Sequence, residues 1–340
     1  MDWGQSYSAS WRIFKVNRKT WADGDQVDNI DSVSITKTAD GSMLESASFE
    51  LTGDFEEDYY RIVMTAEQGG EVTRVDVATL LFNISSGKFN YGINVQTAEG
   101  HSVLYPAKTT TITAGEYAPA GADGAVYAAE LLRSAINAPV EVEGGFTLND
   151  HVVHEIGSTV LEAVWAVLNA GPNGGYVMQI DGRGIVHIMP QPTEPSITID
   201  STNAKLLTNE ITFTTDESDV PNRYIVIDGY SRTIAENNDP ESSVSFANRG
   251  YYVDEVDESP TPVDGETMSA YANRRLHELS VMQDERTYTR EYSPDVNLYS
   301  IVKASIDGLE GELKVQSQTL NCNYGITVNE KATREVSLWQ

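Results

Sequence analysis

The chain has 340 residues, 40% of them hydrophobic, and carries 51 acidic against 23 basic side chains, a formal net charge of −28. Two or three domains with sizeable cores fit that length and apolar content. The charge argues against a protein that grips a nucleic-acid backbone, which needs positive patches, and the single cysteine, Cys322, excludes an intrachain disulfide and a cysteine-based zinc site. Such a chain can still surround DNA without gripping it; solubility or a saline habitat accounts for the acidity equally well.

The opening, MDWGQSYSASWRIFK, has Asp2 and no apolar run, so it does not read as a signal peptide. The longest helical apolar stretch, VLEAVWAVL (160–168), is too short to span a bilayer. The expectation is a protein made in the cytoplasm that inserts into no membrane.

Residues 1–112 read as strands: 10–16, 32–38, 46–52, 58–66, 73–86 and 91–97 carry β-branched and aromatic residues in partial alternation. Turn signals separate them at Ala22-Asp23-Gly24-Asp25, Ala39-Asp40-Gly41-Ser42, Gly53-Asp54 and Gln68-Gly69-Gly70. Many short strands at close spacing predict an antiparallel sandwich or barrel. A small-residue linker, 109–124, then leads to a helix over 122–137, with Asp123 as N-cap and Pro139 just past the end. A second helix is predicted over 159–169, opened by the capping box Thr159 and Glu162. Its apolar residues cover most of its circumference, so it should be buried.

GPNGG (171–175) stops that helix. The glycine-rich Asp181-Gly182-Arg183-Gly184 that follows lies between YVMQI and IVHIM. A phosphate-cradling loop needs a helix directly after its glycines; here a strand follows, so the segment reads as a hairpin turn. Pro190, Pro192 and Pro195 mark a boundary, after which strands resume at 209–215, 222–228 and 243–256. The acidic stretch 254–266 reads as a solvated linker, a cation-binding segment or a charged constriction. A third helix is expected at about 267–281, then strands at 286–292, 299–306, 311–320, 324–329 and 333–339.

The whole reads as mainly β with an α+β insert: two tube-like β-barrel or sandwich domains, 1–112 and 196–340, flanking a small α/β domain, 113–195. The two β domains are expected to superpose, with part of 196–230, notably the Val220-Pro221-Asn222 strand, completing the first domain's sheet.

No residues are singled out for catalysis, for a cofactor or for a metal. His151 and His154 are spaced i,i+3 with Glu155 next, not the i,i+4 of a zinc helix, and strand alternation sends them to opposite faces. The run 23–31 is acidic like a calcium loop but lacks its register and distal Glu, and reads as a solvated turn. G-x-S-x-G is absent. No one Glu stands in an apolar setting as a glycosidase acid would, and Cys322 reads as a buried or idle thiol.

The C-terminal third, from GETMSAYANRRLHEL through ERTYTREYSPDVNLYSIV to EGELKVQSQTLNCNYGITVNE, resembles the closing segment of bacteriophage tail hub proteins, the baseplate hub or late control protein D-like family. Upstream, the capped helix, the D-x-x-G hairpin of 176–190 and the V-P-N strand match the family's middle; the likeness is weakest over 1–110. The resemblance implies a virion structural protein at the tail tip, not an enzyme: a homotrimer joining a hexameric tail tube or distal tail protein to a central spike or tail fibre. It implies contact with a tape measure protein, and a channel through which DNA passes without specific binding. Members of that family sometimes carry an appended lysozyme or peptidase domain; with Gln340 directly after the second β domain, none is expected. A distal tail ring protein and a tail-associated cell-wall hydrolase are the alternatives; a secreted adhesin is disfavoured by the missing signal.

Overall fold

The computed structural model describes residues 3, 7–28, 30–39, 43–52, 56–90, 93–171, 175–200, 210–263, 265–323 and 325–339. The turn signals at 39–42 and 53–54, the stop at 171–175 and the start of the strand expected at 209 fall partly or wholly outside them. In chain order the elements are β1 (Ser8–Val16), β2 (Asp23–Val27), β3 (Ile30–Thr38), β4 (Glu45–Thr52), β5 (Asp58–Gln68), β6 (Glu71–Asn90), β7 (Ile93–Ser102), α1 (Tyr105–Thr109), β8 (Glu116–Ala118), α2 (Gly124–Ala135), β9 (Val140–Val142), β10 (Val152–His154) and α3 (Val160–Asn169). There follow β11 (Tyr176–Ile180), β12 (Val186–Pro190), β13 (Pro195–Ile199), β14 (Thr212–Thr215), β15 (Arg223–Asp228), β16 (Ser231–Glu236), α4 (Phe246–Arg249), β17 (Asp254–Asp257), α5 (Met268–Leu279), β18 (Val281–Glu291), β19 (Ile301–Ile306), β20 (Leu309–Cys322) and β21 (Ile326–Ser337). Two compact units form: Met1–Ile211 with Thr287–Ala332, and Thr212–Arg286 with Thr333–Gln340.

The first unit is built on a large sheet in the order β18-β21-β20-β3-β4-β7-β6-β5-β1-β2, with β19 on β20 and β13 on β19. Its pairings are antiparallel wherever a register is defined, except for the parallel β13–β19 pair. Among the described residues the order does not close into a barrel. The expected pair of separate β domains is corrected here: β20 hydrogen-bonds to β3 from Ser317↔Thr38 to Cys322↔Val33, so strands from both ends of the chain share one sheet. The packing gives the reason. Leu320, Cys322, Ile326 and Val328 of the C-terminal strands bury against Val33, Ile35, Phe49 and Phe82 of the N-terminal ones in one core. Alternation with period two says which face of a strand is buried, not which strand lies beside it.

The insert follows the sequence closely. Asp123 caps α2 by accepting from the amides of Ala125 and Val126. Thr159 and Glu162 form both halves of the capping box on α3, whose Leu161, Val164, Val167 and Leu168 are buried against α2 and the strands β11 and β12. The short helix α1, opened by Pro106, is an element the sequence reading missed; five residues are too few to show helical periodicity.

In the second unit, β16-β15-β17 form a mixed sheet, β15 and β17 running parallel. Tyr224, Val226 and Ala235 on one face pack on Tyr271, Ala272 and Leu276 of α5, the helix expected near 267–281. Two expectations fail. The strand read over 243–256 is helix α4, then β17: Ser245 caps α4 by accepting from the Asn248 amide, and Gly250 ends it at φ +73°. The other fails only in its strand: part of 196–230 does join the first unit's sheet, as β13, while the Val220-Pro221-Asn222 strand leads into β15, which pairs with β16 and β17. Local bonds hold β15: the Asn222 side-chain Nδ2 donates to the carbonyls of Val244 and Tyr251, and its Oδ1 accepts from the Val253 amide.

Candidate functional site

The Asp181–Gly184 turn is a docking element. Antiparallel pairing of β11 and β12 brings Ile180 opposite Val186, and Asp181 Oδ1 accepts from the Ile185 amide at 2.8 Å. The turn then lies against the sheet. Thr79 Oγ1 donates to the Gly182 carbonyl at 2.9 Å, Trp21 Nε1 to the Arg183 carbonyl at 2.7 Å, and Arg61 Nη2 to the same carbonyl at 3.1 Å. Arg61, buried, also bonds Asp23 at 2.7 Å, and Arg74 bonds the other oxygen of Asp23. A Cβ on Gly182 would stand 1.7 Å from the Asp76 carbonyl oxygen, so only glycine permits this approach. The segment 23–31, read as a solvated turn, begins with edge strand β2, and its Asp23 anchors these arginines.

A buried polar network sits in the same unit. Arg290 Nη2 donates to Glu330 Oε2 at 2.6 Å with both side chains at 0% exposure. Tyr288 Oη donates to Glu330 Oε1 at 2.5 Å, and Gln318 Nε2 to Oε2 at 2.7 Å. Burial pushes the Glu330 carboxyl up, but Arg290, with the Tyr288 and Gln318 donors, outweighs it and holds the group below the ordinary glutamate range. Sequence reasoning missed this set. Arg290 lies in TYTREY, an alternating strand where a charged residue reads as solvent-facing, and its partner stands forty residues on.

His151 and His154 are not brought together. His151 is exposed, its Nδ1 accepting from the Ala120 amide at 3.2 Å. His154 is buried on β10, stacked on Tyr127 with ring centroids 5.8 Å apart, and neither ring nitrogen has a hydrogen-bond partner. Burial lowers its pKa, against the pull of Glu116. Cys322 faces the core, and burial pushes its thiol up to about 12, so a thiolate nucleophile is disfavoured there. Among the described residues no group of three or more His, Cys, Asp and Glu side chains is placed to hold a metal ion, and no described helix is long and apolar enough to cross a membrane.

The acidic stretch 254–266 is held by partners within the second unit. Asp254 takes two bonds from Arg223 at 2.7 Å, Asp257 accepts from the hydroxyls of Tyr224 and Tyr271, and Glu266 pairs with Arg274. Neither a free linker nor an open cation loop describes these three carboxylates.

No protein-family model matches the chain, and no curated protein sequence does. Solved structures do. The tail protein from Neisseria meningitidis MC58 aligns with a TM-score of 0.63 at 13% identity, covering 97% of each chain. The 43 kDa tail protein of prophage MuSo2 from Shewanella oneidensis aligns at 0.62 and 12% identity, covering 95% of this chain and 97% of that one. A chain of the Francisella PdpA-VgrG complex aligns at 0.52 and 8% identity; the match covers 96% of this chain and about half, 53%, of that one. Over nearly its whole length, then, this chain has the fold of phage tail proteins, the structural likeness that its C-terminal third implied.

Proposed function

We propose that the chain is a structural hub of a phage-type tail tip or baseplate, acting as a homotrimer. The observation that carries this reading is the near-full-length agreement of fold with two tail proteins whose own lengths are almost wholly covered. In this reading segment 1–112 and the C-terminal strands of segment 196–340 supply the sheet, and segment 113–195 is an insert carried on it. The large sheet ends at β2 on one side, an edge that offers unpaired backbone groups to another chain. Three copies would close a ring that meets a tail tube or distal tail protein above and a spike or fibre below, beside a tape measure protein, with DNA passing through.

The charge of −28 suits such a channel. Basic residues facing phosphate would add affinity and hold the duplex; carboxylates repel it over about one Debye length, ~8 Å at physiological salt. In this proposal the axial surface is predominantly acidic, and the protein has no catalytic role. The mass of the purified full chain in solution tests the assembly: three times the chain mass supports the hub, six times a distal tail ring. A turbidity assay on cell walls tests the hydrolase alternative, with no clearing expected.

A further inference from the structure

The insert carries a feature that its packing does not use. Between β10, the 155–158 loop and α3 lies a groove of about 630 Å³, lined by Val153, His154, Ile156, Ala163 and Ala166 among others. Val153 and Ile156 each stand 70% exposed at its wall. Val153 pairs across the two-stranded β8–β10 sheet with Tyr117, itself exposed. His154, next to Val153 on β10, turns to the opposite face, where it is buried and stacked on Tyr127, so the groove offers an occupant its apolar wall and its carboxylates.

Charge selects the occupant. Segment 113–195 holds ten acidic residues (Glu116, Asp123, Glu130, Glu141, Glu143, Asp150, Glu155, Glu162, Asp181 and Glu194) against two basic ones, Arg133 and Arg183. Arg133 is turned to the Val140 carbonyl. At the groove itself Glu155 and Glu162 belong to the lining, and Glu116 lies opposite His154 in the β8–β10 register. A nucleic acid or an anionic lipid surface would be repelled, and a second copy would set acidic face against acidic face. We infer that this groove docks a segment of another protein that presents large aliphatic side chains flanked by lysine or arginine. The aliphatic groups would cover Val153 and Ile156, and the cations would meet the carboxylate rim.

The inference stands on the insert alone and does not depend on the hub assignment. The test uses the full chain and three fluorescent fourteen-residue peptides as probes: leucine–lysine, leucine–glutamate and serine–lysine. The leucine–lysine peptide should bind at least ~10-fold tighter than the other two, a difference of about 1.4 kcal/mol. The double substitution Val153→Ser, Ile156→Ser keeps every charge and alters only exposed positions, so it should fold normally yet lose at least ~10-fold in affinity for that peptide. Equal binding of the leucine–glutamate peptide, undiminished binding by the double variant or self-association through this face would each overturn the proposal.

Discussion

Arg290 with Glu330 in the first unit and Arg274 with Glu266 and Glu278 in the second use the same chemistry in opposite settings. The first pair has 0% exposure on both sides. In the second set Arg274 is 37% exposed and its partner Glu278, at 2.9 Å, 44% exposed, while Glu266, at 2.8 Å, is 10% exposed, so water reaches the arginine and one of its two carboxylates. Good geometry is thus common to both, and environment is what separates them. A buried pair cannot fall back on water when one partner is lost, whereas an exposed pair is screened and replaced by hydration. The first unit has built a dependency into its sheet; the second has decorated a surface.

The largest effect follows from that dependency. Glu330→Ala should cost about 3–5 kcal/mol by leaving Arg290 buried and uncompensated, read as a fall in the denaturant midpoint. The pH dependence has a defined sign. The folded Glu330 carboxyl lies below the ordinary glutamate value of 4.5, so its contribution is fully present above that value and is lost as pH falls through the folded one. The stability difference between wild type and Glu330→Gln should therefore be widest near neutrality and narrow below pH 4.5; a difference that grows on acidification contradicts the assignment.

Gly182→Ala comes next, at about 1–3 kcal/mol, because the new methyl meets the Asp76 backbone and forces the turn off the sheet. Limited proteolysis should then cut within 171–190 sooner than in wild type. Thr159→Ala removes one half of the α3 capping box and should lower stability by about 1 kcal/mol. The smallest effect sharpens the comparison most: Arg274→Ala should leave the thermal midpoint unchanged within error, and a loss approaching that of Glu330→Ala would erase the distinction between the two settings.

Local signals were the legible ones. The caps Asp123 and Thr159, the hairpin turn at 181–184 and the alternation along β3 and the first half of β4 each depend on residues close in sequence, and each appears where expected. Pairing partners were not legible: β20 finds β3 almost three hundred residues away, and nothing in either strand names the other. Helix α4 was hidden in a run of aromatic residues that reads as strand until the Ser245 cap and Gly250 stop are weighed. The docking of the 181–184 turn left one sequence trace, the glycine pair, which turn geometry alone also explains. Arg61 and Glu330 left none, since a charged residue in an alternating strand is read as outward-facing.

A reconstruction by electron cryo-microscopy of the particle containing this chain would test the proposed hub assignment. Three copies at the tip, arranged about an axial channel with a predominantly acidic wall, are the expected result. Absence of the chain from the particle, six copies in a distal ring, or a neutral or basic wall beneath an acidic exterior would contradict the account.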